Sequence, residues 1–100
     1  MDKLNAAARA AFLREFPHWR EVEGTDAIAR RFRFEDFGAA FAFMTRTAML
    51  AEKLDHHPEW FNVYGTVDVT LSTHSAGGVT PKDIDMARAM EAYAADLNAG

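Results

Sequence analysis

Three of the four histidines, His56, His57 and His74, are the residues whose type and spacing could carry chemistry. His56 and His57 are adjacent, precede Pro58, and are flanked by the acidic residues Glu52, Asp55 and Glu59. The unperturbed imidazole pKa lies near ~6.5, so such a group gives or takes a proton at neutral pH. Gathered in one cleft, the three would make a general acid–base site. A metal centre is the sharper competitor, because His56, His57 and His74 with Glu52 or Glu59 supply ligands of the His₃ or His₂Glu type. Adjacent histidines at a proline turn rarely aim both rings at one point, and no His-Glu-x-x-His spacing is present. Proton transfer without a metal is therefore the expectation. Plainer roles stand beside it: a His-His pair stabilising a helix C-terminus, and His74 as a solvent-facing strand residue. His18, beside Pro17 and Trp19, reads as structural, and Trp60 and Phe61 read as core anchors.

Other chemistries are excluded. The absence of cysteine removes disulfides, thiolate ligands and cysteine nucleophiles together. Gly77-Gly78 lacks the spacing and the lysine of a phosphate loop, and no Gly-x-Ser-x-Gly elbow occurs. The net charge of −4 and the absence of a long basic run argue against direct nucleic-acid binding. Arg30, Arg31 and Arg33 alternate with apolar residues and read as a solvated strand face. No apolar run approaches the ~20 residues that span a bilayer. Met1-Asp2-Lys3-Leu4-Asn5 lacks the pattern of a secretory signal, so the expected location is cytoplasmic.

The elements that must position these groups fit one domain of 100 residues. Leu4, Ala8, Ala11, Phe12 and Phe16 are spaced for a helix that Pro17 breaks. Trp19 to Glu23 reads as a short strand. Ile28, Arg30, Phe32 and Phe34 share one face of a second strand, with Ala29, Arg31 and Arg33 opposite. Glu35 or Asp36 opens a long helix with two apolar stripes. One is Phe37, Phe41, Met44, Ala48 and Ala51; the other is Ala40, Phe43, Thr47, Leu50 and Leu54. Together they cover ~180° of the helix, where one buried face needs ~100°, so the second stripe is expected at a subunit interface. Phe61 and Val63 alternate with Asn62 and Tyr64. After Gly65, Val67, Val69 and Leu71 alternate with Asp68, Thr70 and Ser72, and His74 falls on the polar face if that strand runs so far. Thr80-Pro81-Lys82-Asp83 predicts a capped helix start, and Met86, Met90, Tyr93 and Leu97 give the last helix its buried stripe. The order α-β-β-α-β-β-α with short connections predicts an α+β sandwich with helices on one face.

The blocks Phe34-Glu35-Asp36-Phe37, Phe41 to Arg46, Ala51 to Tyr64 with His56-His57-Pro58-Glu59-Trp60 at its centre, Leu71-Ser72-Thr73-His74 and Asp83-Ile84 closely resemble the pterin-4a-carbinolamine dehydratase family. The resemblance runs from about Asp26 to Ala87. It implies a four-stranded antiparallel sheet with three helices on one face, assembly as a homo-dimer or homo-tetramer, and dehydration of 4a-hydroxytetrahydropterin to quinonoid dihydropterin. That reaction recycles the pterin of aromatic amino acid hydroxylases and needs no cofactor or metal. Carried over, His56 and His74 do acid–base work and His57 mainly holds the pterin, roles that could interchange. Asp55, Ser72, Thr73 and Ser75 line the pocket with them, and Glu52 and Asp83 support the imidazoles. Some relatives bind proteins, as transcription-factor dimerisation cofactors do, so a second role of that kind is compatible with the enzyme.

Overall fold

The computed structural model describes residues 2–100. The chain runs α1 (Ala6–Glu15), β1 (Arg20–Glu21), β2 (Ile28–Arg33), α2 (Phe37–Leu54), β3 (Glu59–Val63), β4 (Thr66–Leu71), a 3₁₀ turn (His74–Ala76) and α3 (Pro81–Asp96). The four strands form one antiparallel sheet in the order β1-β2-β4-β3. This is the expected order and class.

Caps start the helices where short polar side chains accept free backbone N–H groups. Asn5 accepts from Ala8 N at 2.8 Å and Asp36 from Ala39 N at 2.8 Å. α1 therefore begins at Ala6, two residues after the first residue of its apolar spacing, and Leu4 N instead donates to Val79 O at 2.8 Å. Of its stripe only Phe12 is fully buried. β1 shrinks to two residues.

The core lies between the sheet and the helices, where Phe32, Phe43, Val67, Val69, Met86 and Met90 are fully buried. The Phe43 ring sits 4.7 Å from that of Phe32 and 5.0 Å from that of Phe34. Thus most of the stripe expected at an interface packs inward: Ala40, Phe43 and Thr47 have no exposure, whereas Leu54 at its end is exposed and Ala51 of the other stripe is buried. The surplus apolar surface exists, but Phe37, Phe41 and Met49 carry it, at 49%, 55% and 70% exposure.

Two further residues depart from the sequence reading. Arg30 is buried, not solvated: it shares the inward face of β2 with Ile28 and Phe32, and its guanidinium pairs with Glu91 of α3. Glu91 also accepts from Trp19 Nε1 at 2.9 Å, so the buried charge is matched by a hydrogen-bonded carboxylate. Phe61 is 67% exposed and anchors no core. Its register partner is Asp68, which alternates with buried Val67 and Val69 and so faces away from the helices. Trp60, one residue earlier, packs partly against the core instead.

Candidate active site

One cleft of about 520 Å³ is lined by the end of α2 (Asp55, His56, His57), the start of β3 (Glu59) and the end of β4 with its 3₁₀ turn (Thr70, Ser72, Thr73, His74, Ser75). The approach to β2 (Thr25, Ala27) and the start of α3 (Lys82) complete it. All seven residues expected to line a pocket are here. Lys82, Thr70, Thr25 and Ala27 lie outside the pocket set read from the sequence, in which Glu59 is only an acidic flank or metal ligand. Strand parity, which groups Thr70 with Ser72, was the one signal for any of them.

The helix end sets the histidine pair. Asp55 adopts the left-handed conformation (φ 51°, ψ 47°), which a short polar side chain tolerates better than most. His56 N then reaches back to Ala51 O at 3.0 Å and Asp55 N to Glu52 O at 3.3 Å, a Schellman closure. Pro58 bars any return to helical geometry. The turn sends His56 inward and leaves His57 exposed.

His56 meets Asp83, whose side chain is completely buried, with Nε2 2.6 Å from Oδ1. Oδ2 of Asp83 accepts from Thr80 N at 2.9 Å and from the Thr73 hydroxyl at 2.8 Å. The Thr73 proton is thereby committed, so the 2.7 Å contact between the Thr73 and Thr80 hydroxyls is donated by Thr80. Asp83 is at once the capping-box carboxylate of α3 and the partner of His56. A carboxylate only accepts, so a neutral His56 facing it carries its proton on Nε2, and Nδ1 is then the ring nitrogen left without a proton. Thr73 consequently lines the cleft with its hydroxyl already used.

His74 does not continue a strand, because β4 ends at Leu71. A lone bridge between Thr73 and Gly78 follows, and His74 opens the 3₁₀ turn between them, exposed, with Gly77 closing it at φ 70°. Asp26 secures this loop. Its carboxylate takes Arg9 Nη1 at 2.6 Å and Val79 N at 3.2 Å, and its carbonyl accepts from Ser72 Oγ at 2.9 Å. The Arg9 hydrogen bond, then the Val79 amide, hold the Asp26 carboxyl below its ordinary value. A Cβ on Gly78 would run into the Asp26 carboxylate, which Arg9 and the Val79 amide hold in place, so glycine suits this close approach.

Glu52 is exposed and lies outside the cleft lining; its Oε2 is 3.6 Å from His57 Nε2, beyond hydrogen-bond reach. No three His, Asp or Glu side chains converge on a common metal position among the described residues.

A profile of the family described as Pterin 4 alpha carbinolamine dehydratase matches residues 2–93. A protein of Bradyrhizobium sp. (strain ORS 278), whose name assigns it to the pterin-4-alpha-carbinolamine dehydratases, is 57% identical over 98% of each chain. One from Rhodopseudomonas palustris (strain BisB18), named likewise, is 60% identical over 98% of this chain and 97% of its own. Among solved structures, a transcriptional coactivator/pterin dehydratase from Brucella melitensis superposes with a TM-score of 0.89 at 54% identity, covering 93% of this chain and 99% of that one. A pterin dehydratase-like protein identified as a RuBisCO assembly factor in the α-carboxysome aligns at TM-score 0.65 and 26% identity, over 76% and 88% of the two chains. With nearly every residue matched by the family profile, and relatives this similar along their whole length, the chain belongs to the pterin 4 alpha carbinolamine dehydratase family.

Proposed function

We propose that this protein dehydrates 4a-hydroxytetrahydropterin to quinonoid dihydropterin by histidine acid–base catalysis, as a cytoplasmic step in pterin recycling for an aromatic amino acid hydroxylase. The observation that carries the reading is the lining of one cleft by His56, His57 and His74, with His56 held by a buried carboxylate. In the reaction a general acid gives a proton to the C4a hydroxyl as the C4a–O bond breaks. A base takes the N5 proton as the C4a–N5 double bond forms, and water leaves. One imidazolium and one neutral imidazole suffice, and each positioned transfer supplies ~10²–10⁴-fold. His56 and His74 take these roles. His57, exposed beside Glu52, holds the pterin.

No step calls for a metal. Exhaustively chelated protein is expected to dehydrate the substrate at an undiminished rate, followed by ultraviolet absorption of the product. Loss of activity that zinc restores would turn His56, His57 and His74 into ligands.

The exposed Phe37, Phe41 and Met49 on α2 favour a homo-dimer or homo-tetramer, since soluble monomers rarely leave such apolar surface uncovered. Light scattering is expected to give a multiple of the 11.2 kDa chain mass. Phe41→Asp should lower that mass without unfolding the chain, whereas Phe43→Asp should unfold it. A wild-type monomer contradicts the assembly. The coactivator in the name of the Brucella relative favours a second, protein-binding role such as dimerisation of a transcription factor.

A further inference from the structure

The face of the sheet turned away from the helices is unequally charged. Antiparallel register places Arg20, Ala29 and Thr70 side by side across three strands, with Arg31 opposite Asp68 in the next outward-facing row and Arg33 beyond it. Asp68 takes Arg31 Nε at 2.6 Å and Nη2 at 3.1 Å. That hydrogen bonding first, with the charges of Arg31, Arg20 and Arg33 added, holds the Asp68 carboxyl below its ordinary value despite partial burial. Three guanidinium groups thus surround one carboxylate, and Glu59, the β3 partner of Thr70 in the first row, is the second acidic side chain of the face. Arg20 and Arg33 form no ion pair among the described residues.

The cationic face is continuous with the catalytic cleft. A second groove of about 440 Å³ is lined by Arg20, Ala29, Arg31, Asp68 and Thr70, and Thr70 also lines the cleft of the three histidines. Between Thr70 and Arg20 lies only Ala29, whose single methyl leaves the floor low. The distance is two strand spacings, ~10 Å, within reach of a short substituent and a long arginine together.

We propose that this groove is a subsite for an anionic substituent, a phosphate or a carboxylate, on the side chain of the pterin. The inference rests on the dehydratase reading and deepens it by naming the substrate class: pterins with a negatively charged tail are preferred to neutral ones. Guanidinium forks suit both oxyanions, and an exposed site of this kind weakens with salt.

The test is equilibrium binding of three non-reacting pterins to the full chain by fluorescence titration. They are neutral 6-methyl-7,8-dihydropterin, dihydroneopterin phosphate and dihydrofolate. At about 20 mM salt the phosphate compound should bind roughly five- to tenfold more tightly than the neutral one, and the ratio should approach one at about 300 mM salt. It should also approach one in Arg20→Gln. A gain shared by dihydrofolate shows that a carboxylate suffices; a gain for the phosphate alone assigns that group. A ratio near one in the wild-type chain with the neutral pterin still bound overturns the subsite while leaving the dehydratase reading intact. Failure of all three to bind sinks both. A ratio that survives Arg20→Gln overturns the subsite, as does a fall in assembly mass in that variant, which would make the groove a contact between copies.

Discussion

Replacing His56 or His74 by a side chain that cannot transfer a proton is expected to lower kcat by ~10²–10⁴-fold with little change in KM. Each is assigned a transfer made only in the transition state. For His56 the informative change is His56→Gln, whose amide N–H still reaches Asp83 and keeps the buried carboxylate partnered. His74 is exposed in a short turn, so His74→Ala should leave the fold untouched. His57→Ala should raise KM more than it lowers kcat. The His56/His74 double variant should lose less than the product of the single losses, because two groups serving one reaction do not act independently. Steady-state kinetics decide. If His74→Ala keeps kcat while His57→Ala abolishes it at constant KM, the adjacent pair runs the reaction and the division of roles is wrong.

Asp83 gives the second large effect, and its two simplest variants should separate stability from catalysis. Asp83→Ala leaves His56 Nε2, the Thr73 hydroxyl and Thr80 N without their shared acceptor. Each orphaned buried group costs ~1–3 kcal/mol, a serious fraction of the ~5–15 kcal/mol that holds a domain of this size. A fall in Tm of well over ~10 °C is expected. Asp83→Asn keeps the shape. Its amide oxygen can serve Thr80 N and Thr73, which leaves the amide NH₂ to face His56. Nε2 must then accept, and the proton of a neutral His56 moves to Nδ1, the ring nitrogen that Asp83 does not engage. The Asn variant should stay folded, bind pterin nearly normally and lose about 10²-fold or more in kcat, as wrong-tautomer variants of histidine sites do. A folded Asp83→Asn variant with normal kcat and an unaltered pH profile would show that Asp83 serves only the helix cap.

Much of this arrangement was legible in the residues because local rules dictate it. Asp36 and Thr80-Pro81-Lys82-Asp83 announce their helices by side-chain capping, and Val67, Val69 and Leu71 announce a half-buried strand by period two. What escaped depends on partners distant in sequence. Two stripes of equal apolarity ran along α2, and only the sheet decides that Phe43 turns in and Phe41 out. Trp60 and Phe61 are both large aromatics, so alternation alone could not say which faces the core; pairing with Asp68 does. Arg30 is buried because Glu91 waits 61 residues away. The cleft was found through its histidines, yet Lys82 and Thr70 carried no chemical signature until the strands and α3 converged there. Asp83 reads as a cap, and the resemblance sets it with Glu52 beside the imidazoles; that it meets His56, and that Glu52 stays outside the cleft, depends on the end of α2 meeting the start of α3.

The central claim is that the cleft of His56, His57 and His74 dehydrates a pterin carbinolamine. The most direct measurement supplies the folded protein with synthetic 4a-hydroxytetrahydropterin and follows quinonoid dihydropterin by ultraviolet absorption against the uncatalysed reaction. The account predicts a rate far above background that is lost with His56→Gln and His74→Ala. A rate no better than background, from protein shown to be folded, would contradict it and leave a binding module on the same fold.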